Sequence, residues 1–110
     1  MVYANFAGSA ASCTARGSAG GVVRLFRGRT AISGAGLEWQ LDIADGEAGY
    51  LPLLWSIRGS LDGLFADIPG SRSGTLCNGS RRTLSFELSR AGGPEWKPVT
   101  LPAGAFLRLE

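Results

Sequence analysis

The sequence predicts an all-β protein, a single β-sandwich or small barrel of roughly eight to ten short antiparallel strands, rich in hairpins. Three observations predict it. Seventeen glycines and five prolines in 110 residues favour turns over helices, because glycine weakens a helix interior by about 1 kcal/mol relative to alanine. Several segments alternate apolar and polar residues with the period of a half-buried strand. Turn signals recur near residues 28, 46, 63, 79, 92 and 103, without residues repeating at fixed offsets, which is the spacing of a meander and not of a solenoid. At 45% apolar and 18% charged, a chain of this length folds as one domain and buries about 65% of its unfolded surface.

Residues 1–21 are dominated by Gly, Ala and Ser and read as an N-terminal arm, with Val2, Tyr3 and Phe6 as a short first strand and residues 17–21 as a flexible connector. Residues 22–110 form the β domain. Residues 22–26 and 29–33 flank Arg27-Gly28 as a hairpin. Leu37, Trp39, Leu41 and Ile43 alternate with Glu38, Gln40 and Asp42, the cleanest half-buried strand of the first half. Asp45-Gly46 then turns the chain. In residues 53–68 the spacing of Leu61, Leu64, Phe65 and Ile68 suits a helix between Ser60 and Pro69. A hairpin about Asp62-Gly63 explains more residues, because it pairs Ile57 with Ile68, Leu61 with Leu64 and Arg58 with Asp67.

Residues 69–74 are a loop. The strongest hairpin signal is Asn78-Gly79, since both residues tolerate the positive φ of a type I′ turn. Leu84, Phe86 and Leu88 alternate with Ser85, Glu87 and Ser89 after it. In a two-residue hairpin Cys77 faces Ser80 and shares a side with Leu84 and Phe86, an inward-pointing half-cystine. Residues 91–94 turn, and 96–101 with 105–110 make a last strand pair around Pro102-Ala103-Gly104.

Cys13 and Cys77 are the only cysteines and stand 64 positions apart. That is no metal-ligand spacing, and with no histidine to assist the leading reading is a disulfide, worth about 4 kcal/mol on the chain-entropy model. Two buried thiols in a reducing compartment are the alternative. The first residues lack the basic and apolar regions of a signal peptide, so either a signal was removed or export needs none. No run approaches the roughly 20 apolar residues of a membrane span. A net charge of +2, with ten arginines spread along the chain and Lys97 alone, leaves no nucleic-acid footprint.

The absence of histidine removes the commonest general base and every Ser-His-Asp or Cys-His triad. Asp42, Asp45 and Glu47 cluster at a turn, but turn chemistry explains them better than calcium does. Glu38 and Glu87 could in principle pair for glycoside hydrolysis, yet both take the outward parity expected of solvated acids. Asn78-Gly79-Ser80 matches a glycosylation sequon that the turn already accounts for. Trp39 and Trp55 share parity with core residues. Trp96, between Pro94 and Pro98, and Tyr50 are the aromatics expected to meet a glycan or a protein partner.

These features lead to the expectation of a non-enzymatic structural or assembly protein. It needs no cofactor or metal, is a homo-oligomer, and acts in an extracellular or virion setting, as a decoration or tail component does. The alternative is a secreted carbohydrate-binding module with an exposed aromatic platform. One lysine guards the sheet edges, and residues 1–21 contain no proline and only one charged side chain, Arg16. The arm is therefore expected to pack onto a neighbouring subunit; otherwise it folds back on its own sheet under a Cys13–Cys77 bridge.

Overall fold

The structure, a computed structural model, describes residues 2–18, 21–70, 73–91 and 93–110. The connector at residues 17–21, the loop at 69–74 and the turn at 91–94 each include positions outside the described residues. Those described form twelve strands: β1 (Val2–Ala4), β2 (Ala11–Gly17), β3 (Val22–Leu25), β4 (Gly28–Ser33), β5 (Gly36–Ile43), β6 (Ala48–Tyr50), β7 (Trp55–Gly59), β8 (Leu64–Ile68), β9 (Gly74–Asn78), β10 (Leu84–Arg90), β11 (Lys97–Leu101) and β12 (Phe106–Leu109). There is no helix among them. The fold is all-β, as its glycine content and period-two segments predict.

Two antiparallel sheets make a sandwich, with strand orders β11-β10-β7-β3 and β12-β9-β8-β4-β5-β2; β1 and β6 form a separate ribbon. Val23, Leu25, Ile57, Phe86, Leu88 and Leu101 from the four-stranded sheet pack against Ile32, Leu64, Ala66, Ile68, Leu76 and Leu109 from the six-stranded one. Both sets are buried, so the apolar parity of each strand faces the gap between the sheets. The wider sheet overhangs the narrower. Under the overhang Trp39, Leu41 and Ile43 of β5 form a second core with Leu51, flanked by Tyr3 and Phe26.

Three of the expected hairpins are instead crossings between the sheets. Arg27-Gly28 joins β3 to β4, Asp62-Gly63 joins β7 to β8, and Pro102-Ala103-Gly104 joins β11 to β12, each pair lying in different sheets. Arg58 accordingly pairs with Glu87 at 3.1 Å, not with Asp67. The physical reason is burial: strands apolar on one face gain more by facing each other across a core than by lying edge to edge.

Asn78-Gly79 is corrected in the same way, because β9 pairs with β8 and β12 while β10 pairs with β7 and β11. Neither residue has a positive φ. Asn78 is fully buried. Its Nδ2 donates to the carbonyls of Arg82 (2.6 Å) and Leu101 (2.9 Å), and its Oδ1 accepts from the backbone N–H (2.9 Å) and Oγ (2.6 Å) of Ser80. Its amide therefore holds the β9–β10 crossing against the end of β11.

With Asn78 inward, Cys77 takes the outer face, beside Phe65 and Phe106 on the flanking strands. Cys13 lies in β2, and β5, β4 and β8 separate β2 from β9. Four strand spacings are roughly 19 Å, far beyond disulfide reach. Both thiols are free, which corrects the expected bridge.

Residues 2–17, read as an arm, fold back on their own chain without that bridge. β1 pairs with β6, and β2 runs antiparallel to β5 from Ala11 opposite Ile43 to Gly17 opposite Leu37. The actual two-residue hairpin of this region is Gly34-Ala35, which closes β4 onto β5 with Ser33 opposite Gly36.

Candidate functional site

The β1–β6 ribbon is a small lid over the second core, and its position is set by two side chains. Tyr3 points inward, and Gly49 opposite it leaves room for the ring: a Cβ there would stand 3.0 Å from the Tyr3 hydroxyl oxygen. Asn5 is buried, with Nδ2 donating to the carbonyls of Ser9 (2.9 Å) and Ile43 (3.1 Å) and Oδ1 accepting from the Ala7 N–H (3.1 Å). Its main chain bonds Glu47 and Gly46.

Beside them Glu47 gathers three donors. The Ala44 N–H reaches Oε2 at 2.9 Å, while Arg27 Nη2 (2.8 Å) and the Tyr3 hydroxyl (3.1 Å) reach Oε1. The Ala44 N–H first, and then the Arg27 guanidinium, hold the Glu47 carboxyl below the ordinary carboxylate range, and Glu47 in turn raises Arg27. Arg27 also lies over the Tyr3 ring, 5.2 Å from its centroid.

A carboxylate whose folded pKa is depressed contributes stability above its unfolded pKa, about 4.3, and loses it as pH falls through the lower folded value. Glu47→Gln is therefore expected to melt at a lower temperature than the parent at neutral pH. The gap should close progressively below about pH 4. Melting curves measured across pH check this, and a constant gap down to the acid limit would show that Glu47 carries no such linkage.

With Tyr3 and Asn5 turned in, the opposite face of the ribbon is left to solvent. Val2 and Tyr50 are cross-strand partners and are 81% and 68% exposed, and Phe6, just past β1, is 79% exposed. Ala4 and Ala48, also paired, extend the same uncharged face. Isolated exposed apolar residues are ordinary, whereas here several share one face of a small element, which makes it the candidate site. No protein-family model, curated protein or solved structure matches this chain.

Trp96 is half-buried and lies on the outer face of the four-stranded sheet, where the Arg58 guanidinium sits 4.0 Å from its ring centroid. One face of the ring is thereby used within the chain. Trp55, assigned to the core by parity, is half-buried at the mouth between the sheets. It lines a cleft of about 450 Å³ with Leu88, Arg90, Glu95, Lys97 and Glu110, and Arg90 stands 5.1 Å from its ring centroid.

The acidic candidates are dispersed. Asp42 accepts from Ser12 and Arg29, Asp45 from the Gly8 N–H, and Glu47 from the donors above. Among the described residues no three metal-ligating side chains converge. Glu38 and Glu87 lie on opposite outer faces of the sandwich, held by Arg16 at 3.2 Å and Arg58 at 3.1 Å, so they cannot flank one glycosidic bond.

Sequence reasoning singled out Tyr50 and missed its neighbours. Val2 and Phe6 gain their meaning only from the β1–β6 pairing, which joins residues 44 to 48 positions apart. Phe65 and Phe106, 53% and 72% exposed, were legible only as strand residues of unknown side.

Proposed function

We propose that this chain is a non-enzymatic structural subunit that assembles with copies of itself outside the cytosol, in the manner of a virion decoration or tail component. The observation that carries the reading is the solvent-facing side of the β1–β6 ribbon. Val2, Phe6 and Tyr50 are turned outward there because half-buried Tyr3 and buried Asn5 point in, Tyr3 against the second core and Asn5 onto the Ser9 and Ile43 carbonyls. It has no charged side chain, so a second copy of the same face meets it without burying an unpaired charge. The low charged fraction and single lysine agree with a surface made to associate. Both thiols are free, so this assembly involves no disulfide.

The test is molar mass by light scattering over a range of concentrations. The parent is expected to assemble. The triple variant V2S/F6S/Y50S, which removes three apolar anchors each worth about 1.5–3 kcal/mol when buried, is expected to fall to a smaller species with its thermal melt little changed. A parent that stays monomeric throughout, or a variant with the parent's mass profile, rejects the proposal.

A second reading, a carbohydrate-binding module, has one observation in its favour. The cleft at Trp55 combines an aromatic surface with Arg90, Lys97, Glu95 and Glu110, a donor and acceptor set suited to sugar hydroxyls. Binding on a glycan array that Trp55→Ala abolishes would select it over assembly, and an array without binding removes it.

A further inference from the structure

The edge of the six-stranded sheet at β2 is open along its length. β2 has seven residues, all exposed, and pairs with β5 on one side only. Among the other edges, β11 carries Pro98, and β3 and β12 have four residues each. β2 has neither proline nor lysine, and its register against β5 runs without a bulge, so the one charged side chain, Arg16, is its only guard among the usual ones.

Which backbone groups face outward follows from the neighbouring bonds. The Ile32 carbonyl accepts from Gly63 N–H at 2.8 Å, on the side away from β5. Ser33 and Gly36 therefore bond each other, and by alternation Leu37, Trp39, Leu41 and Ile43 turn their groups to β2. Their partners there are Gly17, Ala15, Cys13 and Ala11. The Gly17 carbonyl indeed lies against Gly36, 2.6 Å from where a Cβ would stand. That leaves Ser12, Thr14 and Arg16 with N–H and C=O directed off the edge. On the sandwich side, Ala11, Cys13 and Ala15 continue the apolar row of Ile43, Leu41 and Trp39 but remain exposed.

We propose that β2 pairs antiparallel with β2 of a second copy about a two-fold axis at Thr14, joining two six-stranded sheets into one. This rests on the self-assembly reading above and names an edge for it. In this register Thr14 faces Thr14 and Ser12 faces Arg16 of the second copy, so all the outward groups are used in about six hydrogen bonds. The side chains suit it. Arg16 lies beside Glu38 at one end of the edge, and Ser12 donates to Asp42 (2.7 Å) at the other. The two-fold places each Arg16, its side chain 81% exposed, next to Ser12 and the Asp42 carboxylate of the second copy. The Ala11/Cys13/Ala15 rows of the two copies meet and cover one another.

Two variants of the full chain test this. Thr14→Pro removes an outward N–H and leaves the β2–β5 bonds intact. It is expected to weaken the edge contact at least about 100-fold in light scattering, with the melting temperature close to the parent's. In the Ala15→Cys variant, Cys13 stands opposite position 15 of the second copy at a non-hydrogen-bonded pair, with Cα atoms about 4.5 Å apart. Oxidised glutathione, reduced as the thiols join, should convert this variant to a covalent dimer, but should not convert the parent or C13S/A15C. An unlinked A15C, a parent that cross-links through Cys13 alone, or a T14P variant with unchanged mass overturns the pairing. Self-association of the parent with A15C unlinked rejects the edge and leaves self-assembly standing; a parent monomeric at every concentration rejects both.

Discussion

Asn78→Ala is expected to cost about 3 kcal/mol or more, enough to lower the melting temperature by on the order of 10–20 °C. Four hydrogen bonds end on this one amide, and the residue is fully buried. Truncation leaves the Leu101 carbonyl facing the vacated space, and an unsatisfied buried acceptor costs about 1–3 kcal/mol by itself. The main chain adds to the consequence: Asn78 N–H donates to Ala105 and its carbonyl accepts from Gly104, so the β9–β10 and β11–β12 crossings meet at this residue. Asn78→Asp keeps the acceptor for Ser80 but turns a carboxylate toward two carbonyls, and it is expected to do no better. Urea unfolding measures both. A loss under about 1 kcal/mol for the alanine variant would mean that the crossings do not depend on the amide.

Gly28→Ala is expected to be of similar size, about 3–4 kcal/mol, for a different reason. Gly28 has φ +127°, in the range that side chains avoid, and an added Cβ would overlap the Gln40 carbonyl oxygen and stand 2.9 Å from Trp39 Nε1. That nitrogen donates to the Arg27 carbonyl at 3.1 Å, so the clash falls on the bond that ties the β3–β4 crossing to the second core. Gly104→Ala is the control. Its φ is +74° but nothing lies within 4 Å of the added atom, so only backbone strain of about 1 kcal/mol is expected. Equal losses in the two variants would show that strain alone, and not the close approach to Trp39, decides.

The ribbon's first strand, β1, and the edge strand β2 share one property: both come from the N-terminal segment and pair within the chain on one side only. The expectation of an arm reaching a neighbour assumed a segment without a sheet of its own, whereas β2 is the edge of the six-stranded sheet.

By itself the sequence determined the fold class, most of the strands and most of the turns, because these follow from local terms. Period-two burial is written into residues such as Leu37, Trp39, Leu41 and Ile43, all inward or half-buried as their parity requires, and glycine and asparagine mark where the chain must bend. Only the tertiary structure decided what each bend connects. A turn at Asp62-Gly63 or near Asn78-Gly79 returns the chain equally well to a neighbouring strand or to a facing sheet, and the choice depends on apolar surface contributed by distant strands. Asn78 shows the limit most plainly: its preference for turns is local, while the carbonyl it satisfies at Leu101 lies 23 residues away. The free cysteines, the stacking of Trp96 on Arg58 and the pairing of Val2 with Tyr50 were settled in the same way, by which strands became neighbours.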